Sequence, residues 1–324
     1  DIYIKKPIKL DYRLRDESRG MAPYFRQYIK NELIDILGSE KILDTGGLRI
    51  YTSIDAVIQQ YAEQHVGEQL AMLQKEFKHH WQGREPWENH PATFENALIN
   101  SKPYQKLIQA GKSHEEIITI LSEPHKRNIF SHEGEKAIEI SSIDSLKHYI
   151  QLLNSGFLAI EPESGAVLAW VGGANFRYLP YDHVLSRRQV GSTFKPFVYA
   201  SALENGMDPC HYIANQRRVY KEYDDWSPGN SGGNYEGFYS LKGGLVNSLN
   251  TITAEVMIET GPKKVIEMAK SAGIRSPMPE VPSIALGTAD ISLLEMVTAY
   301  AAFANYGVAV EPFYILRIEN AEGD

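Results

Sequence analysis

Ser192 and Lys195 stand three residues apart in Gly191-Ser192-Thr193-Phe194-Lys195-Pro196. On a helix that spacing brings two side chains to one face, about one turn from each other. A serine hydroxyl is a poor nucleophile at neutral pH, and a neutral lysine amine within hydrogen-bond reach can take its proton as attack begins. Pro196 suits the first turn of a helix, where its missing N–H is no loss, so Ser192 is expected at a helix N-terminus. There a backbone N–H and the positive end of the helix dipole favour a developing oxyanion. A second pair, Ser248-Leu249-Asn250, adds a hydroxyl and an amide within an apolar helical run. Each pattern occurs once in the chain. Taken singly, the first also describes a solvated helix start and the second a polar pair inside a helix.

These residues need elements to hold them. Tyr24, Phe25, Tyr28, Ile29, Leu33, Ile36 and Leu37 recur at three- and four-residue spacing and give a helix over 22–37 that Gly38 can end. Leu48, Ile50, Thr52 and Ile54 alternate as a strand, and a long helix is expected over about 55–77 with Val57, Tyr61, Val66 and Leu70 on one side. Residues 81–150 are polar, with two short helical patterns, one opening on the capping-box pair Ser113 and Glu116. Phe157 to Ile160 and Ala166 to Val171 flank Glu161-Pro162-Glu163-Ser164-Gly165 and make a β-hairpin. Helical runs follow at 194–203, 241–258, 262–272 and 293–304, so an antiparallel sheet backed by helices, an α+β fold, is the expected architecture.

Composition narrows the function. Among 324 residues the 33 basic side chains are interspersed with 41 acidic ones for a net charge of −8, which argues against a nucleic-acid surface. The lone Cys210 excludes an intrachain disulfide and any multi-cysteine metal site, and is expected as a small packed residue. His79, His80 and His90 lack ligand spacing, so neither metal nor cofactor is expected. No apolar stretch approaches the roughly 18 residues of a spanning helix and no signal-peptide pattern opens the chain, so a membrane anchor is expected outside this sequence.

Ser-x-x-Lys followed by Ser-x-Asn resembles the signature of the penicillin-recognising serine enzymes, which continues to a later Lys-Thr-Gly. The flanks select a branch. Arg187 to Phe197, Val246 to Thr251, Pro282 to Thr288 followed by Ser292 to Met296, and Gly47 to Asp55 all resemble the transpeptidase region of class A (bifunctional) penicillin-binding proteins. The resemblance implies a penicillin-binding-protein/β-lactamase-like transpeptidase fold, an antiparallel sheet with helices on both sides. It divides the chain into a linker region at 1–47, the start of the transpeptidase region at 48–80, a mostly helical insertion at 81–150 and the catalytic region at 151–324. It also implies roles. Ser192 is acylated by the D-Ala-D-Ala end of a peptidoglycan stem peptide, or by a β-lactam, and passes the acyl group to an amine of a neighbouring stem peptide. Lys195 is the base, Ser248 relays a proton to the leaving amine, and Asn250 holds the substrate amide and Lys195. Lys195 and Ser248 are then expected within hydrogen-bond reach of Ser192. The site of action implied is the periplasmic side of the bacterial inner membrane, in a parent that also carries a glycosyltransferase.

The departures matter too. No Lys-Thr-Gly or Lys-Ser-Gly occurs in the chain, and the upstream glycosyltransferase signature is missing. The fold is therefore expected to be incomplete at the C-terminus and the 324 residues alone to be weak or inactive. Two rivals stand beside this reading: a serine β-lactamase, disfavoured by Ser248-Leu249-Asn250 in place of Ser-Asp-Asn, and a non-catalytic module that binds peptidoglycan or β-lactam. Trp226 to Asn230 resembles a family loop near the cleft and is expected to act as a structural turn, while Asp182 and His183 are given no catalytic part.

Overall fold

The computed structural model describes residues 18–323, so the first part of the linker region expected over 1–47 lies outside the described residues. Helix α1 (Pro23–Leu37) ends where Gly38 turns left-handed at φ 70° and its N–H returns to the Ile34 carbonyl. Helix α2 (Glu40–Thr45) leads to strand β1 (Arg49–Thr52) and to helix α3 (Ala56–His80), whose first turn is capped by the Asp55 carboxylate accepting from Val57 and Ile58.

The expected face of α3 holds at Val66 and Leu70 and is corrected in its first turns. Val57 and Tyr61 are exposed, and the buried positions are Gln59, Ala62, Leu70 and Gln74. Gln59 is inside because its amide matches a peptide unit, donating to the Trp170 carbonyl at 2.9 Å and accepting from the Trp170 N–H at 2.7 Å.

Residues 81–150 hold helices α4 (Pro91–Ile99), α5 (Lys102–Gln109), α6 (His114–Ser122) and α7 (Ser142–Ile150). Between α6 and α7 runs an antiparallel hairpin of β2 (His125–Ser131) and β3 (Gly134–Ile140) that the polar composition did not announce. The Ser113–Glu116 capping box forms. Next comes the expected hairpin of β4 (Phe157–Ile160) and β5 (Val167–Val171). The outer edge of β5 is closed by Phe313, Asp55 and Gln59, which bond its main chain at Val167, Leu168 and Trp170.

Strand β6 (Arg187–Gln189) precedes a 3₁₀ turn, Gly191–Phe194, and helix α8 (Lys195–Glu204). Strands β7 (Tyr212–Ala214) and β8 (Phe238–Ser240) pair, and helices α9 (Leu241–Val246), α10 (Asn250–Thr260) and α11 (Pro262–Ser271) follow. The single helix expected over 241–258 is thus two, broken at 247–249, where Ser248 takes φ 50°. A second 3₁₀ turn, Pro282–Leu286, leads to β9 (Asp290–Ser292), paired with β6, then to helix α12 (Leu293–Ala304) and to β10 (Ile315–Glu319), paired with β1. Every strand pair is antiparallel, and a parallel bridge from Ala166 to Phe313 ties the β4–β5 hairpin to the segment entering β10. The fold is α+β. Cys210, expected as a packed residue, is exposed; it lies in the short loop between α8 and β7.

Two apolar clusters flank α12. Met296, Ala299 and Ala302 face one that gathers Phe197 and Val198 of α8 with Ile252 and Val256 of α10, while Leu293, Leu294 and Val297 face the other, built on Phe25, Trp170 and Val184. Fully buried side chains such as Phe197, Val198, Ile252 and Val256 each contribute about 1.5–3 kcal/mol. Trp170 stacks on Tyr28 at 4.9 Å and donates its indole N–H to Asp182 at 2.9 Å. Burial pushes the Asp182 carboxyl above its ordinary value, and its other oxygen caps Val184 N–H at 2.8 Å, a structural part.

Candidate active site

The nucleophile turn is set from below. Gly191 N–H donates to the Gly287 carbonyl at 3.0 Å, and a Cβ on Gly287 would fall 2.0 Å from the Gly191 oxygen. Only glycine permits that approach, and Gly287 also holds φ 72°. The Tyr300 hydroxyl of α12 donates to the Thr193 carbonyl at 2.6 Å and braces the turn from the side. Ser192 is exposed in the 3₁₀ turn, one residue group ahead of the α-helix rather than within it. Lys195 N–H returns to the Ser192 carbonyl, and the lysine side chain points inward at 1% exposure.

Lys195 meets the second motif there. Its Nζ lies 2.7 Å from the Ser248 carbonyl, 3.0 Å from Ser248 Oγ and 2.7 Å from Asn250 Oδ1. Three acceptors match the three N–H groups of an ammonium. Burial works the other way and pushes the amine down from 10.5 to about 8. Loss of one proton leaves two N–H groups and a lone pair, and Ser248 Oγ is the one neighbour of the three that carries a proton of its own to share. The arrangement can therefore move a proton between Lys195 and Ser248.

Of the contacts expected from the sequence, the one joining Lys195 to Asn250 is made, and Lys195 also meets Ser248, a contact the sequence reading did not state. The Ser192 hydroxyl bonds neither Lys195 nor Ser248 among the described residues. The lysine is drawn inward by its three acceptors. The break between α9 and α10 explains the triple contact: at φ 50° Ser248 turns its carbonyl as well as its hydroxyl onto the amine. Gly287, Tyr300 and the Gly229 carbonyl, which accepts from Asn250 Nδ2 at 2.8 Å, were not singled out from the sequence. Gly287 and Gly229 had a signal in the segments that hold them, Pro282 to Thr288 and Trp226 to Asn230; Tyr300 had none.

Behind the turn lies a groove of about 780 Å³ lined by Arg188, Gln189, Thr193, Met296, Val297 and Tyr300. It continues to Leu153 and Gly156 just before β4, whose only strand partner among the described residues is β5.

The penicillin-binding protein transpeptidase domain model matches residues 155–323, and the penicillin-binding protein middle domain model matches 82–153. A penicillin-binding protein 1A from Rickettsia felis is 30% identical over 98% of this chain, which covers 43% of that relative. The crystal structure of penicillin-binding protein 1A from Haemophilus influenzae superposes with a TM-score of 0.69 at 23% identity, over 100% of this chain and 51% of that one. A Mycobacterium tuberculosis penicillin-binding protein solved in complex with penicillin V superposes at 0.58 and 20% identity, over 94% of this chain and 64% of that one. The chain thus spans less than half the length of the curated relative.

Proposed function

The chain belongs to the penicillin-binding protein transpeptidase family, and on that premise we propose that it is the D,D-transpeptidase part of a peptidoglycan-building enzyme with Ser192 as nucleophile. The observation that carries the assignment is the buried Lys195 amine, held by Ser248 and Asn250 one turn from Ser192. Ser192 Oγ attacks the carbonyl carbon of the penultimate D-alanine and its proton passes to Lys195. The peptide C–N bond breaks, and the departing D-alanine amine takes a proton through Ser248. An amine of a second stem peptide then attacks the ester carbonyl, the ester C–O bond breaks, and Ser192 Oγ regains its proton. A β-lactam follows the first half of this path and stays as an ester on Ser192. Binding of penicillin V by the mycobacterial relative supports that extension.

The proposal extends to a parent that is also a glycosyltransferase and works at the periplasmic face of the inner membrane, as the class A resemblance implies. Among the described residues no helix is long and apolar enough to cross a membrane. The 324 residues contain no Lys-Thr-Gly, the source in this family of a cation for the substrate carboxylate and of the second oxyanion N–H. By themselves they are expected to acylate more slowly than a polypeptide that includes it, since one oxyanion donor is worth on the order of 10²–10³ in rate.

Mass spectrometry of the intact protein after penicillin treatment tests the assignment. One adduct is expected, on Ser192, and none in Ser192→Ala. An adduct that survives the substitution overturns the choice of nucleophile.

A further inference from the structure

Helix α10 begins without a cap of its own. Leu249 stands at the cap position and offers no side-chain acceptor. The first-turn donor is met from a loop instead, where Asn230 Oδ1 accepts from Thr251 N–H at 3.2 Å. The amide nitrogen of Asn230 donates to Asn215 Oδ1 at 2.8 Å and to the Asn234 carbonyl at 2.9 Å. Asn215, 1% exposed, closes the network: it accepts the Thr251 hydroxyl proton at 2.7 Å and donates to the carbonyls of Asn234 and Glu236 at 3.2 and 3.1 Å. The residue before Asn230 is Gly229, whose carbonyl takes the Asn250 amide at 2.8 Å.

A side-chain amide accepts at one end and donates at the other. Turned over, Asn250 would set its NH₂ against the N–H groups of Lys195, donor facing donor. The Gly229 carbonyl rules out that orientation for as long as its loop is held in place. We propose that Asn230, backed by Asn215 and Thr251, is a positioning residue for acyl transfer at Ser192. It keeps the Gly229 carbonyl on Asn250, so that Asn250 presents its oxygen and not its nitrogen to Lys195. The inference rests on the transpeptidase reading above. It assigns the segment Trp226 to Asn230 a part in the chemistry that a turn alone does not have. Asn230 itself bonds neither Lys195 nor Ser192 and acts through Asn250.

A double-mutant cycle in the intact protein separates this role from a general contribution to folding, with the rate of labelling by a fluorescent penicillin followed over hours. Asn230→Ala is expected to slow labelling on the order of tenfold in the unsubstituted background and by less than about twofold when Asn250 is already alanine, because nothing is then left to orient. Equal slowing in both backgrounds, or none in either, overturns the proposal. Should Asn230→Ala lose cooperative melting, Asn230→Asp enters the same cycle under the same criteria; it keeps the acceptor for Thr251 and loses the donors. An unsubstituted protein that takes no label on Ser192 overturns the transpeptidase reading and this proposal with it. That result is distinct from a labelled protein indifferent to Asn230.

Discussion

Lys195 keeps 1% of its surface exposed, and an ammonium without its water shell is held only by the acceptors it finds. Burial brings its pKa from 10.5 to about 8, against the pull of three oxygens that each favour an N–H. The base form is the neutral amine, so the sign is fixed: β-lactam acylation should rise with pH through about 8 and level off above it. Lys195→Arg, which stays charged, should give no rise. A rate–pH profile that is flat across this range, or that climbs only near the ordinary lysine value, removes Lys195 as the base. This residue was legible because Ser-x-x-Lys is a local pattern whose geometry follows from helix pitch. The Ser248 carbonyl was not. A main-chain group has no letter of its own, and its aim depends on the φ of 50° that breaks the helix there.

Elements were read where polarity and burial agree, and misread where they part. The β4–β5 hairpin and helices α1, α11 and α12 follow their apolar spacing closely. Helix α3 does so at Val66 and Leu70 but not in its first turns, because a buried glutamine looks like a surface residue until the peptide unit it serves is known. The α9–α10 pair was read as one helix since its apolar residues keep helical spacing across the break, although Gly243 and Gly244 stand just before it. A Cβ on Gly244 would lie 2.5 Å from Ile252 Cγ2, so the glycine is what lets α9 fold back onto α10. The α3 reading yields a prediction. Gln59→Leu keeps the volume but leaves both the N–H and the carbonyl of Trp170 buried without a partner. The cost should be roughly 2 kcal/mol, two unsatisfied groups at the low end of their range. Urea denaturation measures it, and a midpoint shift worth less than about 1 kcal/mol would mean that water or a main-chain adjustment replaces the amide.

The whole molecule contains a part that makes no hydrogen bond to the candidate site residues. Residues 82–153, matched by the middle domain model, pack Leu98, Tyr104, Ile117 and Leu121 into a cluster with Phe94, Ile143 and Leu146 that shares no member with the two clusters around α12. Their docking is polar and aromatic: Gln74 of α3 bonds Gln151 and Leu153 at 3.1 and 2.8 Å, Phe130 stacks on Tyr178, and Glu135 pairs with Arg177 at 3.7 Å. Neither Ser192, Lys195, Ser248 nor Asn250 takes a hydrogen bond from this part. Its two ends also lie near each other. The exit at Gln151 and Leu153 rests on Gln74, and α3 runs only about 9 Å further to its end at 1.5 Å per residue. A Gly/Ser linker of about four residues can span that gap, at up to about 3.5 Å each. Replacing residues 82–150 with such a linker in the intact protein should leave the penicillin acylation rate within about threefold, a change of well under 1 kcal/mol in the barrier. Labelling kinetics alongside a melting curve check this. A deletion that still melts cooperatively but no longer takes penicillin would show that the middle domain holds the cleft in shape, through the Tyr178 stack or the Gln74 contacts, and that the catalytic half does not stand without it.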